Sequence, residues 1–72
     1  MLFTELEIQC AEFGYKIKIN KKEIWLLNIL KNNELVGIIN DVWHGQYVIK
    51  NQDENLMSIC AEYSNTLQHK RY

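Results

Sequence analysis

The sequence contains no proline and only three glycines in 72 residues. Linkers and low-complexity segments are usually rich in these residues, so none is predicted. Long apolar runs are also missing, because the longest, residues 24–27, is far shorter than the roughly 20 residues of a membrane-spanning helix. The first residues have neither the basic region nor the apolar stretch of a secretion signal. Together these absences predict one soluble, cytoplasmic domain with no membrane partner.

An excess of either charge is missing too. Eight Lys and Arg residues stand against nine Asp and Glu residues, which gives a net charge of −1. Proteins that bind nucleic acid through charge have a basic excess, so the chain as a whole is not predicted to bind polyanions.

Residues for catalysis and metal binding are sparse. Cys10 and Cys60 do not have the spacing of metal ligands, either with each other or with His44 and His69. Both cysteines lie on apolar stripes of predicted helices, where a small buried side chain is the expected role. A disulfide between them is the alternative, and it requires facing helices and an oxidising compartment. Because phosphate-binding loops and nucleophile turns are also missing, we predict no catalytic activity, no cofactor and no metal.

Apolar periodicity predicts an α+β domain with the order α-β-β-β-(β)-α. We expect an antiparallel meander sheet with two helices packed on one face. The strands are predicted at residues 15–20, 24–30 and 35–40, with a short fourth strand at residues 46–49. Gly14 is expected to end the first helix, Asn32 and Asn33 to form a type I′ turn, and Asn51 or Asp53 to cap the last helix. The domain is predicted to cover residues 1–66, followed by a frayed C-terminal tail at residues 67–72.

The second and third predicted strands are apolar on both faces. Counting outward from the Asn32–Asn33 turn pairs Ile29 with Val36 and Leu27 with Ile38. The face expected under the helices then carries Trp25, Leu27, Ile29, Val36 and Ile38. The opposite face carries Leu26, Asn28, Leu30, Leu35, Gly37 and Ile39.

The second apolar face is the main indication of function. A small antiparallel sheet needs only one apolar face, so the other predicts a protein–protein contact, most simply a homodimer. The alternative is that one helix covers each face. The predicted protein interface consists of Ile24, Leu26, Leu30, Leu35, Ile39 and Trp43. Trp43 is either an anchor for the partner or a plug for the open end of the core.

Four lysines near the first hairpin give a second functional hypothesis. Lys16, Lys18, Lys21 and Lys22 are candidate nucleic-acid contacts, because a basic β-ribbon with nearby aromatic residues can follow phosphates and stack on bases. Lysines at a sheet edge also protect it from aggregation, and the neighbouring helix is acidic. We therefore rank a nucleic-acid-binding accessory protein below a protein-binding one. We expect no sequence-specific binding of nucleic acid, and at most weak, salt-sensitive binding through these four lysines.

Four segments resemble small uncharacterised proteins of bacteriophages and prophages of Gram-positive bacteria. They are residues 12–15 (Glu-Phe-Gly-Tyr), 23–25 (Glu-Ile-Trp), 31–36 (Lys-Asn-Asn-Glu-Leu-Val) and 61–66 (Ala-Glu-Tyr-Ser-Asn-Thr). The resemblance implies no catalytic residues. It implies a phage-related setting in which small proteins often act by binding host or phage proteins. An inhibitor of a host defence nuclease is a third functional hypothesis, as a special case of the protein-binding one.

Overall fold

The computed structural model describes residues 1–50 and 52–72. In chain order the elements are helix α1 (Phe3–Glu12), strands β1 (Lys16–Ile19), β2 (Leu26–Lys31), β3 (Glu34–Asn40) and β4 (Tyr47–Ile49), helix α2 (Glu54–Ser64) and a 3₁₀ turn (Gln68–Lys70). The strands form one antiparallel sheet in the order β1-β2-β3-β4. The predicted α+β meander is therefore confirmed. No helix among the described residues is long and apolar enough to cross a membrane.

Both helices cover the same face of the sheet. They contact each other, while α1 packs on β1 and α2 packs on β3 and β4. Buried side chains alternate along the strands, as expected when one sheet face meets a core. The alternative with one helix on each face is wrong. The core consists of Leu6, Cys10, Tyr15, Ile17, Leu27, Ile29, Ile39, Leu56, Ile59, Cys60 and Tyr63.

The end of α1 and the start of α2 follow the sequence closely. Gly14 has a φ of +85°, and its N–H donates to the carbonyl of Ala11, while Tyr15 N–H donates to Cys10, the hydrogen-bond pattern of a Schellman motif. Asp53 caps α2 by accepting hydrogen bonds from the N–H groups of Asn55 and Leu56. Asn51, the other predicted cap, lies outside the described residues.

The register between β2 and β3 differs from the predicted one. Asn32 and Asn33 do form the turn, with φ values of 54° and 64°. However, a β-bulge at Val36 shifts the pairing, so Ile29 pairs with Gly37 and not with Val36. One extra residue moves every later side chain of β3 to the opposite face. Ile38 and Ile39 consequently exchange the faces that the sequence predicted for them.

Gly37 accounts for the position of the bulge. A Cβ atom on Gly37 would lie 2.9 Å from the carbonyl oxygen of Val48 and 3.2 Å from Cδ1 of Ile29. The core-side position opposite Ile29 therefore has room only for glycine. Placing Gly37 there puts Ile39, which is fully buried, into the core.

Strand β2 begins at Leu26, two residues later than predicted. Oδ1 of Asn20 accepts hydrogen bonds from the N–H groups of Lys22 and Glu23, and Leu26 N–H closes a turn onto the carbonyl of Glu23. These bonds hold residues 20–25 as a loop. The prediction that Trp25 lies in the core is therefore wrong, because its side chain is 46% exposed.

Residues 67–72 are not a frayed tail. They form the 3₁₀ turn and then place Arg71 inside the protein with none of its surface exposed. Phe3 N–H donates to the carbonyl of Arg71, and the rings of Phe3 and Tyr72 stack with centroids 5.5 Å apart. The predicted domain boundary after residue 66 is wrong, since these residues belong to the fold.

Candidate interaction surface

The sheet face away from the helices, here called the open face, carries an apolar centre. Its central row runs across all four strands as Lys18, Asn28, Ile38 and Val48. The rows on either side add further aliphatic side chains. The aliphatic side chains of the open face are Leu26, Leu30, Leu35, Ile38 and Val48. The first four are half-buried, and Val48 is 70% exposed.

A shallow depression of about 320 Å³ lies on this face. Leu26, Ile38 and Val48 supply its apolar floor, and Tyr47 also borders it. The polar groups around it, Asn40 and Gln46, are uncharged amides. The depression is too open to enclose a small substrate, since ligand pockets bury most of their ligand. It suits contact with another surface.

Two loops meet at one end of the sheet, which we call the loop end. Residues 20–25 join β1 to β2, and residues 41–46 join β3 to β4. The N–H of Asp41 donates to the carbonyl of Trp25 at 2.7 Å and ties the loops together. The large apolar side chains exposed there are Ile24 (72%), Trp25 (46%), Val42 (47%) and Trp43 (62%).

The second of these loops is also fixed to helix α2. Gly45 N–H donates to the carbonyl of Ser64, and the His44 ring is hydrogen-bonded to the carbonyl of Asn65 at 2.9 Å. Oδ1 of Asn40 accepts hydrogen bonds from the N–H groups of Val42 and Trp43. Trp43 is therefore an exposed side chain on a loop whose backbone is fixed by hydrogen bonds to Asn40 and to the end of α2. Of the two roles predicted for it, the anchor fits this position and the core plug does not.

The four lysines of the nucleic-acid hypothesis lie on the side of β1, which is an edge strand. Lys16 and Lys18 pair with Leu30 and Asn28 and share the open face with them, while Lys21 and Lys22 follow in the loop. All four are exposed. In the described part of the chain the single ion pair joins Arg71 to Asp41, so none of these lysines is neutralised by a carboxylate.

Arg71 is the centre of a buried polar network behind the loop end. Its guanidinium donates to the carbonyl oxygens of Thr66, Asn40 and Ser64 at 2.9, 3.3 and 3.0 Å, and contacts Asp41 at 3.4 Å. Its charge also lies over the ring of Tyr63, 4.9 Å from the centroid. The network joins the end of β3, the end of α2 and the last residues of the chain.

Asp41 is the acceptor for two tyrosines in this network. The hydroxyl of Tyr63 donates to it at 2.6 Å, and the hydroxyl of Tyr72 donates to its other oxygen. Burial and the nearby carboxylate raise the pKa of Tyr63, and the same two causes raise the pKa of Tyr72 to about 12. Both hydroxyls consequently stay protonated as donors, and the network is structural.

The two cysteines lie in the core as free thiols. Burial raises the pKa of Cys10 to about 11, and burial followed by the nearby Cys10 raises that of Cys60 to about 12. Since the thiolate is the reactive form, neither is suited to be a nucleophile. No group of three His, Cys, Asp or Glu residues in the described ranges could hold a metal ion.

The six predicted interface residues lie in three different parts of the structure. Leu26, Leu30 and Leu35 are half-buried on the open face, as predicted. Ile24 and Trp43 are exposed, but at the loop end. Ile39 is a core residue and is removed from the interface, because the bulge turns it inward.

Sequence reasoning missed three surface residues. Ile38 and Val48 belong to the open face, and Val42 belongs to the loop end. The glycine at position 37 was the available indication for Ile38, because glycine inside a strand often marks a bulge. Alternation along the short fourth strand, with Tyr47 and Ile49 packing on the core, was the indication for Val48.

Comparison of the chain with protein-family models, curated proteins and solved structures finds no match.

Proposed function

We propose that this protein acts by protein–protein association and that its open face binds a second copy of the chain. The observation that carries the proposal is the row of aliphatic side chains that both helices leave uncovered. Leu26, Ile38 and Val48 form its centre around the depression. A contiguous apolar patch of a few hundred Å² on a small protein marks an interaction site.

The distribution of charge favours a second copy as the occupant. A two-fold interface brings the same patch of two molecules together, so a charged centre would repel itself. Here the part of the open face on β2, β3 and β4 carries aliphatic and amide side chains at its centre, while Lys16 and Lys18 lie to one side on the edge strand β1. Two copies can therefore bring their apolar centres together and keep their lysines at the rim. Association would also reinforce a domain too small to bury a large core.

Sedimentation equilibrium with one pair of matched variants tests this proposal. Val48→Glu places a charge at the centre of the open face, whereas Ile8→Glu places the same charge at a similarly exposed position, 62% accessible, on α1. We expect the wild type and Ile8→Glu to form dimers of twice 8.6 kDa. Val48→Glu should weaken association at least about tenfold, the effect of 1.4 kcal/mol.

A wild-type monomer at about 1 mM would contradict the proposal, because even an association of about −4 kcal/mol is half complete there. Equal weakening by both variants would place the interface elsewhere. The resemblance to phage proteins makes a host or phage protein the alternative occupant of the open face.

A further inference from the structure

We propose that the lysine edge and the loop end together bind single-stranded nucleic acid without sequence preference. The lysine edge is Lys16, Lys18, Lys21 and Lys22, and the loop end carries Trp25 and Trp43. This surface lies beside the apolar centre of the open face and does not require a dimer.

The fold separates the lysines from the acidic side chains of the helices, and Glu23, exposed beside Lys22, is the carboxylate that stays in the same loop. The glutamates of the helices, including Glu5, Glu7 and Glu12, lie in the layer on the other side of the sheet. Lys16 and Lys18 point away from that layer, because Ile17 between them points into the core. The lysines therefore form a basic surface within a chain whose net charge is only −1.

The two tryptophans supply the second property of a single-strand site, which is an aromatic surface for bases. In an antiparallel meander, the β1–β2 and β3–β4 loops emerge at the same end of the sheet. Trp25 and Trp43 lie in these loops, and the Asp41–Trp25 hydrogen bond holds the loops together. Stacking on an exposed ring suits every base, which explains why such sites are tolerant of sequence.

The layout of the charges favours an extended polyanion over an anionic bilayer. Lys16 and Lys18 are about 6.7 Å apart along the strand, and Lys16 lies four residues, about 13 Å, before Asn20. A flat membrane in contact with the loop end would not reach Lys16. A single strand running along β1 can contact the lysines in turn and place bases on the tryptophans.

Fluorescence anisotropy with a labelled oligothymidylate of about 20 nucleotides tests the proposal, since one small single-strand module covers roughly 4–16 nucleotides. An abasic oligomer of equal length is the matched probe, and vesicles containing phosphatidylglycerol are the lipid probe. Four phosphate contacts predict a log–log salt slope of about −2.8, or roughly 50-fold weaker binding between 0.05 and 0.2 M salt. We expect the abasic oligomer to bind at least about fivefold more weakly, because it cannot stack.

Two sets of variants locate the site. Lys21→Glu with Lys22→Glu should abolish binding, whereas Lys50→Glu with Lys70→Glu, the same charge change at other exposed lysines, should reduce it much less. Trp25→Leu and Trp43→Leu should each weaken binding to oligothymidylate but not to the abasic oligomer. Intrinsic fluorescence should be quenched on binding, since these are the two tryptophans of the chain.

Several outcomes would overturn the proposal. These are no binding of oligothymidylate at 0.05 M salt, equal binding of the abasic oligomer, and equal losses in the two double-lysine variants. Binding to anionic vesicles without binding to oligothymidylate would make the loop end a lipid-contacting surface instead.

Discussion

The guanidinium of Arg71 has its charge facing Asp41 and its N–H groups donating to three carbonyl oxygens. A buried charge is tolerated only when it is paired and hydrogen-bonded, and this one is both. Removing one partner of such a pair leaves the other charge buried and unpaired, which costs more than the pair itself contributes.

Arg71→Ala is therefore expected to destabilise the protein by about 3–5 kcal/mol, because Asp41 would remain buried without its cation. Lys70→Ala, at the exposed neighbouring position, should change stability by less than about 0.5 kcal/mol. Urea unfolding followed by circular dichroism measures both. Equal stabilities of the two variants would show that the buried pair has no structural role.

A second residue-scale prediction concerns the pKa of Asp53. The hydroxyl of Tyr15 donates to its carboxylate at 2.6 Å, and this bond is the main cause that lowers the pKa of Asp53. Because its pKa is lower in the folded state, the contribution of Asp53 to stability is present above its ordinary pKa. It is lost as the pH falls through the folded-state value.

Tyr15→Phe should raise the pKa of Asp53 toward its ordinary value of 3.8. An NMR titration of the carboxyl carbon of Asp53 measures this shift. Tyr47→Phe, which removes the hydroxyl of a different, half-buried tyrosine, is the control. The destabilisation caused by Tyr15→Phe should shrink as the pH falls. An unchanged titration of Asp53 would contradict the assigned cause.

At the scale of the element, one extra residue decides which side chains of strand β3 face the core. Val36 is the unpaired residue of the bulge, so Gly37 and Ile39 face the core and Ile38 faces outward. Alternation in the sequence from 35 to 39 is compatible with either phase, because both phases place an isoleucine inside.

Two neighbouring substitutions test the phase of β3. Ile39→Ala should cost about 2–5 kcal/mol, the usual range for a fully buried isoleucine, and Ile38→Ala less than about 1 kcal/mol. Thermal unfolding at low protein concentration measures both while limiting any contribution from association. A larger loss of stability for Ile38→Ala than for Ile39→Ala would indicate the register without the bulge.

At the scale of the whole molecule, the last residues close the fold. The segment after α2 connects to the first helix through Phe3, to the end of β3 through the carbonyl of Asn40 and to the end of α2 through Ser64. A domain of this size has little stability to lose, so such contacts matter to the whole molecule.

Removing residues 67–72 should therefore abolish cooperative unfolding or lower the melting temperature by well over 10 °C. A loss of about 3 kcal/mol corresponds to that shift at roughly 4–8 °C per kcal/mol. Differential scanning calorimetry of the shortened and full chains measures it. Replacing only the exposed Gln68 and His69 by alanine is the control, and a shortened chain as stable as this control would make the segment dispensable.

The sequence by itself determined the features that depend on neighbouring residues. Apolar spacing predicted a buried stripe on the last helix, consisting of Leu56, Ile59, Cys60, Tyr63 and Leu67; the first four are buried on α2, while Leu67 lies beyond the helix and is 51% exposed. The Asn32–Asn33 pair predicted the turn between β2 and β3. Gly14 and Asp53 were equally readable, because capping and positive φ are set by a few residues of local backbone. The element order and the antiparallel meander followed from these local patterns.

The tertiary structure alone decided that Ile38 and Trp25 face outward and that Arg71 is buried. The bulge depends on the lack of room beside Gly37, which is created by Val48 of another strand. Trp25 is exposed because the loop bonds of Asn20 delay the start of β2. Arg71 is buried because Asp41, 30 residues earlier, and the carbonyl oxygens at the end of α2 converge on one point. Contacts between residues so distant in the chain leave no periodicity in the sequence, so only the folded molecule defines the open face and the loop end.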